Sequence, residues 1–257
     1  MIEVPSSLAK LTNGFSWEPI TIGHSEAKTF LLKGSHSNQY LKVQPINSVE
    51  RLYDEKVKLE WLEGKLPVPR VLFYGEDEEN EYLLTSEIKG VNASDQSHRA
   101  VLPSMLESVG SGLKAVHRVS VDDCPFILSL DVKIKEAKKR VEQEQVDEDD
   151  FDEGRRGRKA GELFEELIFN KPLHEELVIT HGDFCLPNIV VENGRVSGLI
   201  DWGRAGVADK YQDLALAIRS ISSNFGKEYV PYFLAGYGVT DVDESRVDYY
   251  QLMDEFF

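Results

Sequence analysis

The chain has 257 residues, 41% of them hydrophobic and 10% aromatic, enough for one large domain or two lobes with a real core. Forty-five acidic residues against 29 lysines and arginines leave a formal charge of −16, which disfavours nucleic acid and anionic lipid as partners and favours cationic ligands, with solubility alone as the plainer use of such a charge. Two cysteines, Cys124 and Cys185, without CxxC spacing, and six histidines without metal-ligand spacing exclude a disulfide framework and a zinc site.

Residues 1–10 lack the apolar core of a signal peptide, and no apolar run approaches the ~20 residues that span a bilayer. A cytoplasmic protein with no membrane association and no obligate protein partner is expected. Residues 30–32 and 39–43 read as strands about the polar turn 33–38. Asn47 and Glu50 suggest a capping box that opens a helix running to about Glu63, with Tyr53, Val57 and Trp61 as its apolar stripe. Leu66-Pro67-Val68-Pro69 stops that helix. Two further strands, 70–74 and 81–86, flank the acidic turn 76–80.

Helical periodicity then takes over: Leu102, Met105, Leu106, Val109, Leu113 and Val116, followed by Leu130, Ile134, Ala137 and Val141. Helices are also predicted at 162–169, 211–221 and 245–257, and a hairpin at 188–191 and 196–200 around Asn193-Gly194. The fold class is α+β: an antiparallel-sheet lobe over residues 1–86, a hinge at 87–90, and a larger, mainly helical lobe over 91–257, with a cleft expected between them. The acidic run 142–153, followed by Arg155, Arg156, Arg158 and Lys159, reads as a solvated loop.

The chemistry concentrates in 180–209, THGDFCLPNIVVENGRVSGLIDWGRAGVAD. His181-Gly182-Asp183 is followed by Asn188 and, across the hairpin, by Asp201-Trp202-Gly203. Phosphoryl transfer needs a base at the acceptor hydroxyl and oxygen ligands for magnesium on the nucleotide phosphates, and kinases place an Asp, an Asn five residues on and a following Asp-X-Gly in this order. Magnesium takes few protein oxygens, so Asn188 and Asp201 suffice together with phosphate. A lone Asp is more often a turn former; the combination carries the signal. His181 reads as a packing residue of this loop. Upstream, Lys42 lies in an apolar strand where an unpaired ammonium would be costly, and Glu55 on the next helix is its expected partner, with Asp54 and Glu60 as competitors. A glycine-rich loop is weak, being limited to Gly23-His24-Ser25, although amides near Ser25 could cover phosphates.

The segment 178–217 closely resembles the aminoglycoside 3′-phosphotransferases, the kanamycin and neomycin kinases. The likeness extends to residues 61–69, 123–126, 146–153 and the terminal Asp254-Glu255-Phe256-Phe257, and so covers nearly the whole chain. It implies a protein-kinase-like two-lobed fold and transfer of the γ-phosphoryl of ATP (or GTP), with Mg2+, to the 3′-hydroxyl of a cationic aminoglycoside, conferring resistance. By position, Asp183 would be the base and Asn188 and Asp201 the metal ligands. Lys42 with Glu55 would reach the phosphates, Tyr40 would stack on adenine, and Ser86 and the Ile88 backbone would form hinge contacts. Arg204 matches a family arginine after the metal-binding turn. Asp150, Glu153, Glu255 and the Phe257 carboxylate match groups that hold substrate ammoniums. Ser222-Ser223-Asn224 departs from the acidic residues of many relatives, and Trp202 from their smaller residue, which implies a packing difference there. The rival readings are a kinase of the same fold acting on choline, a sugar or an amino acid, and an inactive binding module.

Overall fold

The computed structural model describes residues 4–20 and 27–257; Gly23, His24 and Ser25 lie outside them. The chain forms two compact units. The first runs up to Val91 and takes in Val190–Glu192 and Ser197–Arg204; the second holds Asn92–Ile189, Asn193–Val196 and Ala205–Phe257.

In the first unit, helix α1 (Ser6–Leu11) precedes strands β1 (Ser16–Ile20), β2 (Lys28–Lys33) and β3 (Gln39–Pro45), then helix α2 (Leu52–Leu62), β4 (Val71–Glu76) and β5 (Asn80–Ser86). The strands form one sheet in the order β1-β2-β3-β5-β4, each neighbouring pair antiparallel. Side chains alternate along a strand, so Leu41 and Val43 of β3 enter a core with Leu8, Leu32, Tyr82 and Leu84, while Tyr40 and Lys42 take the other face. Helix α1 and strand β1 had no clear signal in the sequence: α1 is six residues long and buries only Leu8, and β1 contains Pro19.

Helix α2 departs from expectation in two ways. Asn47 and Glu50 do not open it; Ser48 N–H closes a turn onto Pro45 O at 3.1 Å, and the helix starts at Leu52, whose N–H donates to Glu81 Oε2 at 3.0 Å. Its buried face is also not Tyr53, Val57 and Trp61. Tyr53 is 49% exposed, and the face turned inward is Leu52, Glu55, Lys58, Leu59 and Leu62. Two charged residues on the inward face hid the stripe, and they are buried because each has a partner.

Strand β6 (Val91–Asn92) leads to α3 (Leu102–His117), α4 (Leu130–Glu142) and α5 (Ala160–Phe169). Strand β7 (Leu177–Thr180), hairpin strands β8 (Ile189–Glu192) and β9 (Arg195–Leu199), and strand β10 (Gly206–Asp209) follow; α6 (Tyr211–Asn224), α7 (Val230–Tyr237) and α8 (Glu244–Asp254) complete the chain. A small sheet runs in the order β6-β8-β9, and β7 pairs antiparallel with β10. Asn193 and Gly194 both have positive φ, 52° and 74°, the backbone that the Asn-Gly signal requires of a two-residue hairpin turn.

All six apolar positions predicted along α3 are buried. Its Gly110 and the Gly236 of α7 meet the partner helix's backbone where a Cβ would stand, so the two helices pack in close contact. On α4 the buried residues are Leu130, Lys133, Ala137 and Arg140, in place of the expected pairing of Leu130 and Ala137 with Ile134 and Val141. Lys133 Nζ lies 5.0 Å and Arg140 Cζ 4.6 Å from the Phe257 ring centroid, and Arg140 donates to Phe256 O at 3.3 Å. These long cations are buried by lying over an aromatic face.

Candidate active site

In the first unit, Lys42 is the centre of an ion-pair triad. Its Nζ donates to Glu55 Oε2 at 2.7 Å and to Asp201 Oδ1. Burial alone would lower the Lys42 pKa, but the Asp201 and Glu55 carboxylates outweigh it and hold the ammonium above its ordinary value. Asp54 and Glu60, the competing candidates, do not make this pair: Asp54 is exposed, and Glu60 takes Lys56 at 2.8 Å. Asp201 has φ +64°, a left-handed conformation uncommon outside glycine but tolerated by Asp. The short 3-10 turn Trp202–Arg204 follows it, with Trp202 fully buried and its indole N–H on Leu199 O at 2.9 Å. Helix α2 grips this turn: Lys58 donates to Gly203 O, and Arg204 pairs with Glu50 at 2.9 Å just before the helix.

Tyr40 is half-buried on β3, on the Lys42 side of the strand, and burial together with the nearby Glu87 raises its phenol pKa. Ser86 ends β5, where its N–H donates to Arg70 O at 2.9 Å and its Oγ accepts from Arg70 N–H at 2.9 Å. Glu87 takes Asn38 Nδ2 at 2.8 Å, and Ile88 is half-buried.

In the second unit, β7 delivers the chain into the loop that bears Asp183. Asp213, fully buried near the start of α6, accepts from His181 N–H and Gly182 N–H at 2.8 Å each. It also lies 3.1 Å from His117 Nε2, whose other ring nitrogen meets Tyr237 OH at 2.8 Å. Gln212 Nε2 donates to Gly182 O at 3.4 Å. Gly182 has φ +87°, a turn that this residue makes without steric cost. His181 is fully buried, its ring edge-on to Phe184 and its Nδ1 accepting from Asp183 N–H at 3.3 Å. Asn188 Nδ2 donates to Asp183 O at 3.0 Å and to Asp183 Oδ2 at 2.8 Å. Both amide hydrogens of Asn188 are thereby used, and its Oδ1 is left as an acceptor. That amide oxygen and the Asp201 carboxylate are hard donors of the type Mg2+ takes. Among the described residues no group of three or more His, Cys, Asp or Glu forms a metal cage.

The acidic end of the second unit is an ion-pair network. Glu255 accepts from Asp152 N–H at 3.2 Å and from Arg155 Nη1 at 3.4 Å. Arg155 also reaches Asp248 at 2.7 Å. Arg219 binds Asp152 at 3.1 Å and also Asp254. Burial, then the Asp152 charge, raises the Glu255 pKa to about 7 against the pull of the Asp152 N–H, Arg155 and Arg219. Of the residues expected here, Glu255 lies inside the network and Phe257 under the α4 cations. Asp150 and Glu153 are exposed and have no place in the network as described. Asp152, Arg155, Arg219, Asp248 and Asp254 were not among the site residues expected from the sequence. Arg155, trailing the acidic run, was the visible signal, and its partners Asp248 and Glu255, 93 and 100 residues on, were not.

A family model described as the phosphotransferase enzyme family matches residues 16–250. The chain belongs to this family. It is 36% identical over 255 residues to an aminoglycoside 3′-phosphotransferase of Niallia circulans, covering 98% of this chain and 97% of that one. The crystal structure of an aminoglycoside-3′-phosphotransferase of type VIII is similar, with a TM-score of 0.90 and 32% identity over 98% of this chain and 97% of that one. A Streptomyces rimosus aminoglycoside phosphotransferase in complex with ADP and streptomycin has a TM-score of 0.82 at 28% identity, over 97% of this chain and 95% of that one. The kinase-like architecture of family members is thus that of this chain.

Proposed function

We propose that the protein transfers the γ-phosphoryl group of ATP to the 3′-hydroxyl of an aminoglycoside and so confers resistance to it. The observation that carries the reaction class is the Lys42 ammonium held by Glu55 and Asp201, the pair a kinase needs to aim a lysine at phosphates. The substrate class is supported by the relatives' activity and by the half-buried Glu255, whose raised pKa would be drawn down by a protonated amine.

In this reading Lys42 neutralises phosphate charge, Tyr40 lies against the adenine ring, and the Ser86–Ile88 segment makes the hinge contacts. Ser25, outside the described residues, would lie over the phosphates. Asn188 and Asp201 would hold Mg2+, which supplies charge neutralisation at the transferred group. Asp183 accepts the proton of the attacking hydroxyl through the carboxylate that Asn188 orients. Glu255, with Asp150, Glu153, Arg204 and Phe257 as further contacts, receives the substrate, whose ammoniums form charge-assisted hydrogen bonds with the carboxylates.

The test is ATP consumption with kanamycin, neomycin, streptomycin, choline and a fructosamine, followed by NMR of the product to locate the phosphate. Turnover with kanamycin and neomycin and phosphate on the 3′-oxygen are expected. Turnover only with choline or the fructosamine would replace the substrate class. ATP consumption with none of them would mark an inactive module.

A further inference from the structure

Helix α2 carries Glu55 yet begins without a cap of its own. The residue at its N-cap is Arg51, whose side chain makes no cap hydrogen bond, and the first N–H groups of a helix have no intrahelical acceptors. The acceptor comes from another element. Glu81 of β5 is completely buried, and its Oε2 takes the Leu52 N–H at 3.0 Å and Gln44 Nε2 at 3.1 Å. Its Oε1 takes Arg51 Nε and Tyr74 OH, each at 2.8 Å. One carboxylate therefore ties β3, β4 and β5 to the first turn of α2, and sets a negative charge at the positive end of the helix dipole. Burial pushes the Glu81 carboxyl up, but the four donors outweigh it and hold it below its ordinary value. The group is ionised at neutral pH.

Glu55 lies three residues beyond Leu52, one turn along α2, and reaches Lys42 at 2.7 Å. We propose that Glu81 is a positioning residue for phosphoryl transfer: by anchoring the first turn of α2 to the sheet that carries Lys42, it fixes the axial height of Glu55 against the lysine. Lys58 on Gly203 and Glu50 on Arg204 hold α2 to the segment after Asp201; on the sheet side Gln44 Nε2 reaches Glu50 O at 2.6 Å, Arg51 reaches Glu76 at 3.3 Å and the Tyr53 and Tyr74 rings meet, while Glu81 takes the backbone N–H of the first turn itself. A slip of α2 by one residue's rise, about 1.5 Å, would misplace the Glu55 carboxylate against Lys42 and shift the lysine toward Asp201, its other partner. The inference rests on Lys42 and Glu55 acting as assigned above.

The experiment is a double-mutant cycle between Glu81 and Glu55, with kcat, KM for ATP, KM for kanamycin and Tm measured for each variant. Glu55→Gln comes first: if it leaves kcat/KM for ATP unchanged, the Lys42–Glu55 assignment fails on its own account. Given a loss there, Glu81→Ala should lower kcat/KM for ATP about ten-fold, the scale of a lost helix cap, while KM for kanamycin stays near wild type. Glu81→Gln keeps the volume and one acceptor and should recover most of that loss, and it serves for the whole cycle if the alanine variant does not fold. In the Glu55→Gln background either change should add no more than about two-fold. Leu8→Ala, a core change in the same unit, supplies the comparison for plain destabilisation. The proposal is overturned if the Glu81 variants lower Tm as Leu8→Ala does with kcat/KM intact, or if their effect is as large in the Glu55→Gln background as in the wild type.

Discussion

The carboxylate of Asp183 is aimed by a neighbour on each side. Asn188 donates to its Oδ2 at 2.8 Å, and Asp213 fixes the backbone just before it through the His181 and Gly182 N–H groups. A buried acceptor that takes two backbone donors and a histidine leaves the loop little freedom, which suits the proposed role of Asp183 as a base that meets a hydroxyl in one geometry. Asp183→Ala is expected to lower kcat by roughly 10²–10⁴-fold, the usual worth of a positioned base, with nucleotide affinity unchanged. Steady-state kinetics beside an ATP-binding titration would check this, and a variant retaining more than about a tenth of wild-type kcat contradicts the assignment. Asp183, Asn188 and Asp201 stood out in the sequence because phosphoryl transfer asks for those residue types in that order, and the fold does join Asn188 to Asp183 and Lys42 to Asp201. Asp213 did not: its carboxylate looks like any other acid near a helix start until the fold brings His181 to it.

At the level of elements, apolar periodicity found α3 and α8 and the Asn-Gly turn found the β8–β9 hairpin, whereas periodicity failed where charge is buried. The inward face of α2 includes Glu55 and Lys58, that of α4 includes Lys133 and Arg140, and β5 buries Glu81. Each is tolerated because a partner distant in sequence satisfies it, and no local pattern contains that partner. The junction of the 146–159 loop with α8 is of the same kind and has a pH signature. The Glu255 pKa, about 7 in the folded chain, lies above its unfolded value, so the native state binds a proton there that the unfolded state has lost. The sign follows from linkage: the associated stability is fully present below the unfolded pKa and is lost as pH rises through about 7. Glu255→Gln, which cannot ionise, should therefore gain Tm relative to wild type as pH is raised from about 5 to 8, by a few degrees at the upper end. Its KM for kanamycin should rise at the same time. A constant Tm difference across that range would show that the carboxyl is not held protonated by its surroundings.

Across the whole molecule the excess of acid is divided between two uses. Asp152, Asp248, Asp254 and Glu255 are engaged by Arg155 and Arg219, so part of the acidic end is neutralised within the chain. Asp150 and Glu153 remain exposed and contribute to a negative field that reaches past the surface. With a net charge of −16, that field raises the local concentration of a polycation before any contact forms, and it is screened over about 8 Å at physiological salt. Changing both residues, Asp150→Asn with Glu153→Gln, removes two charges while leaving the ion-pair network in place. Exposed groups are weak individually, so the expected rise in KM for kanamycin is about three- to ten-fold at low ionic strength, with KM for ATP and Tm unchanged. As salt is added the wild-type KM should climb toward that of the variant, because the lost interaction is the screened one. Measuring KM for kanamycin for both proteins over a salt series decides the matter: curves that coincide, with equal KM at every salt concentration, would mean that the exposed acids serve solubility alone.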